Sequence, residues 1–217
     1  MFIDLDEPSG LDPVRVGSKA ASLAAARAVG APVLHGFVVD AEASRRHMAY
    51  GATALESRGS GGARLAISGE PVDFADALVE KAETLGGQVA ARSSSLLEAF
   101  GEWSGAFTSY LDLEPSYLPK AVVGCWSSAF SVDALRRQAA AGVTPGSWRM
   151  AVLVQPSLSP ERGGWAELSA DGTLRVHGVA GSPASLLQGW ATGHAAIFDG
   201  SWSGDLIEVA GVASLDQ

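Results

Sequence analysis

The stretch QVAARSSSLLEAFGEWSGAFTSYLDL, residues 88–113, places a polar turn between two predicted strands. QVAARSS is short and apolar up to Arg92, and GAFTSYLDL alternates in character, as strands do. Three serines follow Arg92, whose planar guanidinium offers a fork of donors that suits a phosphate. Gly105 lies among small residues, where the backbone can approach a phosphate closely. These residues alone leave a second interpretation open, an ordinary turn in which Arg92 pairs with Glu98 or Glu102.

A second candidate for anion binding lies near the start of the chain, in VGSKAASL, residues 16–23. Gly17 precedes a predicted helix, and Lys19 falls in its first turn. Free N–H groups and the helix dipole favour an anion at that end. A lysine there opposes the dipole, so a bound phosphate would account for it. The alternative is a solvated surface lysine.

Gln155 ends the predicted buried strand MAVLVQ, residues 150–155. Its amide is suited to facing a nucleotide base at a hinge, or to capping the strand. The residue alone does not choose between these roles.

Composition narrows the class of protein. The chain has 217 residues, 47% of them hydrophobic, and a net charge of −9, so it can bury a core but lacks the basic character of a nucleic-acid binder. Its single cysteine, Cys125, cannot form an internal disulfide and is expected to be a buried apolar residue in a reducing compartment. No leader or membrane-length apolar run is evident, so we expect a cytoplasmic protein without a membrane partner.

The pattern along the chain predicts a mixed fold. The stretch 51–71 is rich in glycine and serine and is predicted to be a loop. Strands are predicted at 31–40 and 148–158, and short strands dominate the last third. The predicted helices, taken from apolar spacing and end signals, cover 18–30, 41–50, 72–85, 118–130 and 132–141.

Four separated segments together resemble a known domain. They are residues 16–48, the pair VAARSSS and GEWSGAFTSYLDL, then CWSSAFSVDALRRQAAAGV, and finally MAVLVQ. In this order and spacing they are similar to the nucleotide-binding N-terminal domain of the phosphoenolpyruvate synthase and pyruvate phosphate dikinase family, which rifampicin phosphotransferases share. The resemblance covers about residues 10 to 158.

The resemblance implies an α+β, ATP-grasp-like fold with ATP held between two lobes. It places a first lobe at residues 1–154 and a shortened, β-rich second lobe at 155–217. Four residues match positions that bind the nucleotide in the family. Lys19 matches the lysine of a G-G-K segment, Arg92 the arginine of V-R-S-S, Gly105 the phosphate-covering A-G-Q loop, and Gln155 the end of the strand leading to the adenine hinge.

Several positions depart from the family pattern. Ser18 replaces the second glycine of G-G-K, and Ala106 replaces the loop glutamine. Of an acidic stretch after R-S-S only Glu98 is kept, and beyond Gln155 we expect the match to fade. His177 falls where the family has a glutamate that helps to hold Mg²⁺. A Q-D-I-E-W-like strand is missing, so we assign no metal ligand and no catalytic residue within the sequence.

The segment WATGHAAIFDG, residues 190–200, resembles the family's phosphohistidine segment T-x-H-A-A-I. That interpretation makes His194 a phosphoryl carrier and requires a long helix after it. FDGSWSGD follows instead, which does not predict a helix. The same residues also align with an ATP-grasp loop.

Two functions follow from the resemblance. In the first, the chain is the ATP-binding component of a phosphoenolpyruvate-synthase-like phosphotransferase, a kinase-like enzyme. A separate partner would then supply Mg²⁺ ligands and the missing lobe or a phosphohistidine domain. In the second, the chain is a catalytically degenerate module that binds a nucleotide or a protein.

Overall fold

The computed structural model describes residues 1–99, 101–103, 105–187, 189–198 and 206–210. The chain divides into two compact units, Met1–Ser157 and Leu158–Gln217. Each unit has its own antiparallel sheet, and helices accompany the strands, so the fold class is α+β as predicted. No helix in the described part is long and apolar enough to cross a membrane.

The first unit is built on a sheet in the order β1-β2-β5-β3-β4, with antiparallel neighbours throughout. Its strands are β1 (Phe2–Asp4), β2 (Phe37–Val39), β3 (Val89–Ser94), β4 (Ser109–Leu113) and β5 (Ala151–Pro156). Its α-helices are α1 (Pro13–Ala28), α2 (Arg45–Ser68), α3 (Ala75–Glu83), α4 (Leu118–Ser128) and α5 (Val132–Ala140).

Helices cover this sheet from both sides. On one face, Val16 and Ala20 of α1 pack against Val38 and Leu153. The other face carries the larger core, in which α2 and α4 pack together and Trp126 is fully buried. Because side chains alternate along a strand, each residue of β3 belongs to one of these two faces.

The predicted loop at 51–71 is wrong, because α2 continues to Ser68. Its glycines lower helix propensity, but buried Met48 and Ile67 anchor the helix to the core. At Gly51 a Cβ would come within 2.6 Å of Phe130, so the small residue permits close helix packing. Tertiary contact therefore overrides the local composition.

The other helix predictions for this unit are confirmed to within a few residues, but the predicted strand 31–40 shrinks to β2. Pro32 lacks an N–H for a ladder, and Gly36 passes so close to β5 that a Cβ would lie 2.4 Å from the Val154 carbonyl oxygen. Cys125 is fully buried, as expected.

The second unit is a meander in the order β6-β7-β8-β9. Its elements are β6 (Arg162–Leu168), β7 (Leu174–Ala180), the short helix α6 (Ala184–Leu187), β8 (His194–Phe198) and β9 (Leu206–Ala210). These four strands agree with the expectation that short strands dominate the last third of the chain. Most of FDGSWSGD, residues 199–205, lies outside the described residues.

Candidate functional site

Helix α1 meets the end of β3 at Gly17. This glycine has φ +74°, which kinks α1 so that a new helical segment starts at Ser18. A Cβ on Gly17 would lie 2.3 Å from the backbone carbonyl carbon of Ser94. The Ser94 hydroxyl accepts a hydrogen bond from Ala20 N at 3.1 Å. Glycine is thus required for the helix start to rest on the serines that follow Arg92.

Lys19 reaches from this helix start to β3. Its Nζ donates to the Ser93 carbonyl oxygen at 2.5 Å and to Glu98 Oε1 at 2.9 Å. The Lys19 side chain is only 27% exposed. Lys19 is therefore not a solvated surface residue, and its charge is held one residue away from Arg92.

Glu98 links Lys19 to the turn that begins at Ser95, directly after β3. While Oε1 meets Lys19, its Oε2 accepts a hydrogen bond from Ser95 N at 2.9 Å. The Glu98 side chain is 11% exposed, so the ion pair is mostly shielded from water. If either side chain of such a shielded ion pair were removed, the other would be left as a buried charge without compensation. The interpretation that paired Glu98 with Arg92 is wrong.

Arg92 has no such partner in the part of the chain that the structure describes. It shares the α1 face of β3 with Ser94, and it lies opposite Leu153 of β5 and Ser109 of β4. Its side chain is half-buried, and within the described part of the chain its guanidinium makes no hydrogen bond or ion pair. A guanidinium confined in this way still has its donors to offer to an anion.

Gln155 lies on the same face, across from Ala90. It is buried, and its Nε2 donates to the Leu34 carbonyl oxygen at 3.0 Å. The amide nitrogen is thus used to hold the segment that leads into β2. Its Oε1 makes no hydrogen bond to the described residues.

Gly105 lies in a solvent-exposed turn that precedes β4. It has φ +70°, and a Cβ there would meet no atom within 4 Å. Ala106 N donates to the Trp103 carbonyl oxygen at 3.1 Å, which closes the turn. The conformation favours glycine, while the space around it leaves room for a ligand. No hydrogen bond joins Gly105 to Lys19 or Arg92 in the described residues.

The structure thus brings Lys19, Arg92 and Gln155 to one face around β3. Two cations next to serine hydroxyls can neutralise and orient a phosphate group. Among the described residues, no three His, Cys, Asp or Glu side chains lie together where they could hold a metal ion.

The second unit contains an apolar cavity of about 620 Å³ on its sheet. The rings of Trp165 and His177 stack there with their centroids 4.2 Å apart. His194 also lines it and is the first residue of β8. A strand therefore follows His194 directly, whereas the phosphohistidine interpretation requires a helix.

The match to a family model is the decisive comparison. The model of the AMP/ATP-binding domain of pyruvate phosphate dikinase matches residues 67–192, more than half of the chain. The chain belongs to this family. Its fold is therefore of the ATP-grasp-like, nucleotide-binding type. No curated protein matches the chain.

The residues that the family model matches overlap only in part with the predicted resemblance, which covers about residues 10 to 158. Arg92, Gly105 and Gln155 lie inside it, whereas Lys19 precedes it. The expectation that the match fades beyond Gln155 is wrong, because the family model continues through β7 to residue 192.

Sequence reasoning missed two partners of Lys19, the Ser93 carbonyl and the Glu98 carboxylate. Glu98 was treated as a kept acidic residue and as a possible partner of Arg92, not of Lys19. Its position three residues after Ser95 is a signal that could have identified it, because a carboxylate there can reach back to cap the Ser95 N–H.

Proposed function

We propose that this chain binds ATP as the nucleotide-binding component of a phosphoenolpyruvate-synthase-like phosphotransferase of the cytoplasm. The observation that carries the proposal is Arg92, a half-buried guanidinium without a protein partner in the described residues, next to the carbonyl that holds Lys19. Membership of an AMP/ATP-binding family supports a nucleotide as the anion. Lys19 and Arg92 then bind the ATP phosphates.

Binding of a phosphate requires a change of partner at Lys19. In the structure Lys19 Nζ is engaged with Glu98 at 2.9 Å. An incoming phosphate competes for the same ammonium group and repels the carboxylate. Lys19 therefore swings from Glu98 to the phosphate, while Arg92 binds without giving up a contact.

Gly105 and Gln155 complete the proposed nucleotide contacts. The open, positive-φ turn at Gly105 lets backbone N–H groups approach a phosphate. The free Oε1 of Gln155 accepts from the amino group of adenine, while its Nε2 stays on Leu34.

We further propose that Mg²⁺ reaches the nucleotide with ligands from a separate chain or domain. Ala106 and His177 stand where the family resemblance implies a glutamine and a metal-binding glutamate. In phosphoryl transfer, Mg²⁺ would neutralise charge on the phosphates. The same partner would supply the phosphohistidine domain that accepts the phosphoryl group.

A second candidate function is a degenerate module that binds a nucleotide, or only a protein, without catalysis. The same substitutions at Ala106 and His177 favour it. The two functions differ in whether the bound ATP can be turned over once an acceptor domain is present.

The test is a calorimetric titration of the full chain with ATP, with and without Mg²⁺, beside Lys19→Ala and Arg92→Ala. Arg58→Ala is the matched control, since Arg58 is an exposed arginine of α2 that makes no ion pair in the described residues. We expect each site variant to weaken binding at least about tenfold, the effect of losing one charge-assisted phosphate contact. Absence of binding by the unaltered chain at millimolar ATP contradicts the proposal.

A second measurement separates the two functions. The chain is mixed with ATP, Mg²⁺ and the phosphohistidine part of a phosphoenolpyruvate synthase. Transfer of the terminal or adjacent phosphate of labelled ATP to that histidine supports the enzyme component. ATP binding without transfer favours the degenerate module.

A further inference from the structure

A second cavity in the first unit lies on the opposite face of the sheet from Arg92. It has a volume of about 710 Å³ and is formed by the end of α2, the start of α4 and β4. Tyr110 of β4 lines it and belongs to the α2/α4 face, whereas Arg92 faces α1. A volume of this size suits a small organic molecule.

Two cations that make no ion pair in the described residues line this cavity. Arg64 and Lys120 both line it, both are exposed, and neither makes an ion pair in the described residues. Most of the other cations of the first unit are paired with carboxylates. In a chain with a net charge of −9, two unpaired cations at one cavity favour an anionic ligand there.

The acidic wall residue does not cancel this charge. Glu70 lines the cavity, but its carboxylate lies 3.1 Å from Arg46, which is not among the lining residues. Its backbone carbonyl accepts a hydrogen bond from His47. Of the charged side chains that line the cavity, those without a neutralising partner in the described residues are therefore positive.

Tyr110 supplies an oriented hydroxyl. A Cβ on Gly124 would lie 2.3 Å from the Tyr110 hydroxyl oxygen, so the ring rests directly on the backbone of α4. Glycine inside a helix costs about 1 kcal/mol relative to alanine, and here it makes room for the phenol. The hydroxyl makes no hydrogen bond to the described residues.

The remaining wall is partly apolar, with Val72, Pro119 and Val123. We propose that this cavity binds a small aromatic anion, whose phosphate or carboxylate group meets Arg64, Lys120 and the Tyr110 hydroxyl. Its ring packs against the apolar wall. This site is separate from the proposed ATP phosphate site, because the two lie on opposite faces of β3 and β4.

The test uses the full chain labelled with ¹⁵N and follows amide shifts as phenyl phosphate is added. We expect saturable shifts at Gly69 and Gly124, which line the cavity. Benzoate in a parallel titration tells whether carboxylate or phosphate is preferred. Benzyl alcohol, a neutral analogue, should bind much more weakly.

Variants locate the site. Arg64→Gln and Lys120→Gln should each weaken binding about fivefold, as expected for a partly solvated charge pair. Tyr110→Phe keeps the ring and should also weaken binding. Arg58→Gln, on the same helix as Arg64, should leave it unchanged. The dispersion of amide signals verifies the fold of each variant.

Three results overturn the proposal. The first is the absence of saturable shifts with both anions at tens of millimolar. The second is equal binding of benzyl alcohol. The third is an Arg58→Gln variant that loses as much affinity as Arg64→Gln.

Discussion

Lys19 Nζ lies 2.9 Å from Glu98 Oε1, although 78 residues separate the two in the sequence. This ion pair connects the start of α1 to the turn that begins at Ser95, directly after β3. It also occupies the lysine that we assign to the ATP phosphates. Glu98 is therefore both a structural partner of Lys19 and a competitor of the nucleotide.

Glu98→Gln should strengthen ATP binding several-fold and weaken the fold. The neutral amide no longer competes with phosphate for Lys19, and its oxygen can still accept from Ser95 N. We expect a loss of about 1.5–3 kcal/mol in the free energy of unfolding, the scale of a hydrogen bond to a charged group. Calorimetry and urea unfolding measure the two effects. Weaker ATP binding by Glu98→Gln would instead show that Glu98 positions Lys19 for the nucleotide.

Gly17→Ala should destabilise the first unit far more than Gly59→Ala. Both glycines have a positive φ with an extended ψ, so alanine is strained by about 1–3 kcal/mol at either position. Only at Gly17 would the new Cβ also strike Ser94, which adds about 2 kcal/mol of overpacking. Urea unfolding compares the variants. Equal losses would mean that α1 does not rest on Ser94 as described.

His47 should make stability depend on pH. His47 is buried against Trp126, with ring centroids 4.7 Å apart. Burial lowers the pKa of His47 below 6.5, although its hydrogen bond to the Glu70 carbonyl opposes this. The unfolded chain therefore binds a proton more readily than the folded one.

It follows that His47 stabilises the fold at pH values above about 6.5, and that this contribution is lost as the pH falls below 6.5 towards the folded-state pKa. The slope should not exceed about 1.4 kcal/mol per pH unit. Urea unfolding between neutral and mildly acidic pH measures it. His47→Gln should flatten the slope, whereas the exposed His35→Gln should leave it unchanged.

Cys125 should resist alkylation in the folded protein. The thiol is fully buried, and burial raises its pKa to about 12, so almost no thiolate forms near neutral pH. Iodoacetamide labelling followed by mass spectrometry should show little modification until urea unfolds the chain. Rapid labelling without urea would contradict the described packing of α4.

Much of the first unit follows from its sequence. Apolar spacing predicts α1, α3, α4 and α5, because a helix face that enters a core must repeat its apolar residues. The glycine-rich part of α2 was missed, since its stability comes from packing on α4 rather than from propensity.

For the site, the sequence by itself determined which chemical groups are present: a lysine at a helix start, an arginine before three serines, a glycine among small residues and an amide at a strand end. Those types and their spacing also identified the family. Only the tertiary structure decided how they are used. Lys19 pairs with Glu98, Gln155 donates to the Leu34 carbonyl, and Arg92 has no partner among the described residues. These contacts join residues that are far apart in the chain, and a local sequence pattern does not specify which distant group will lie nearest.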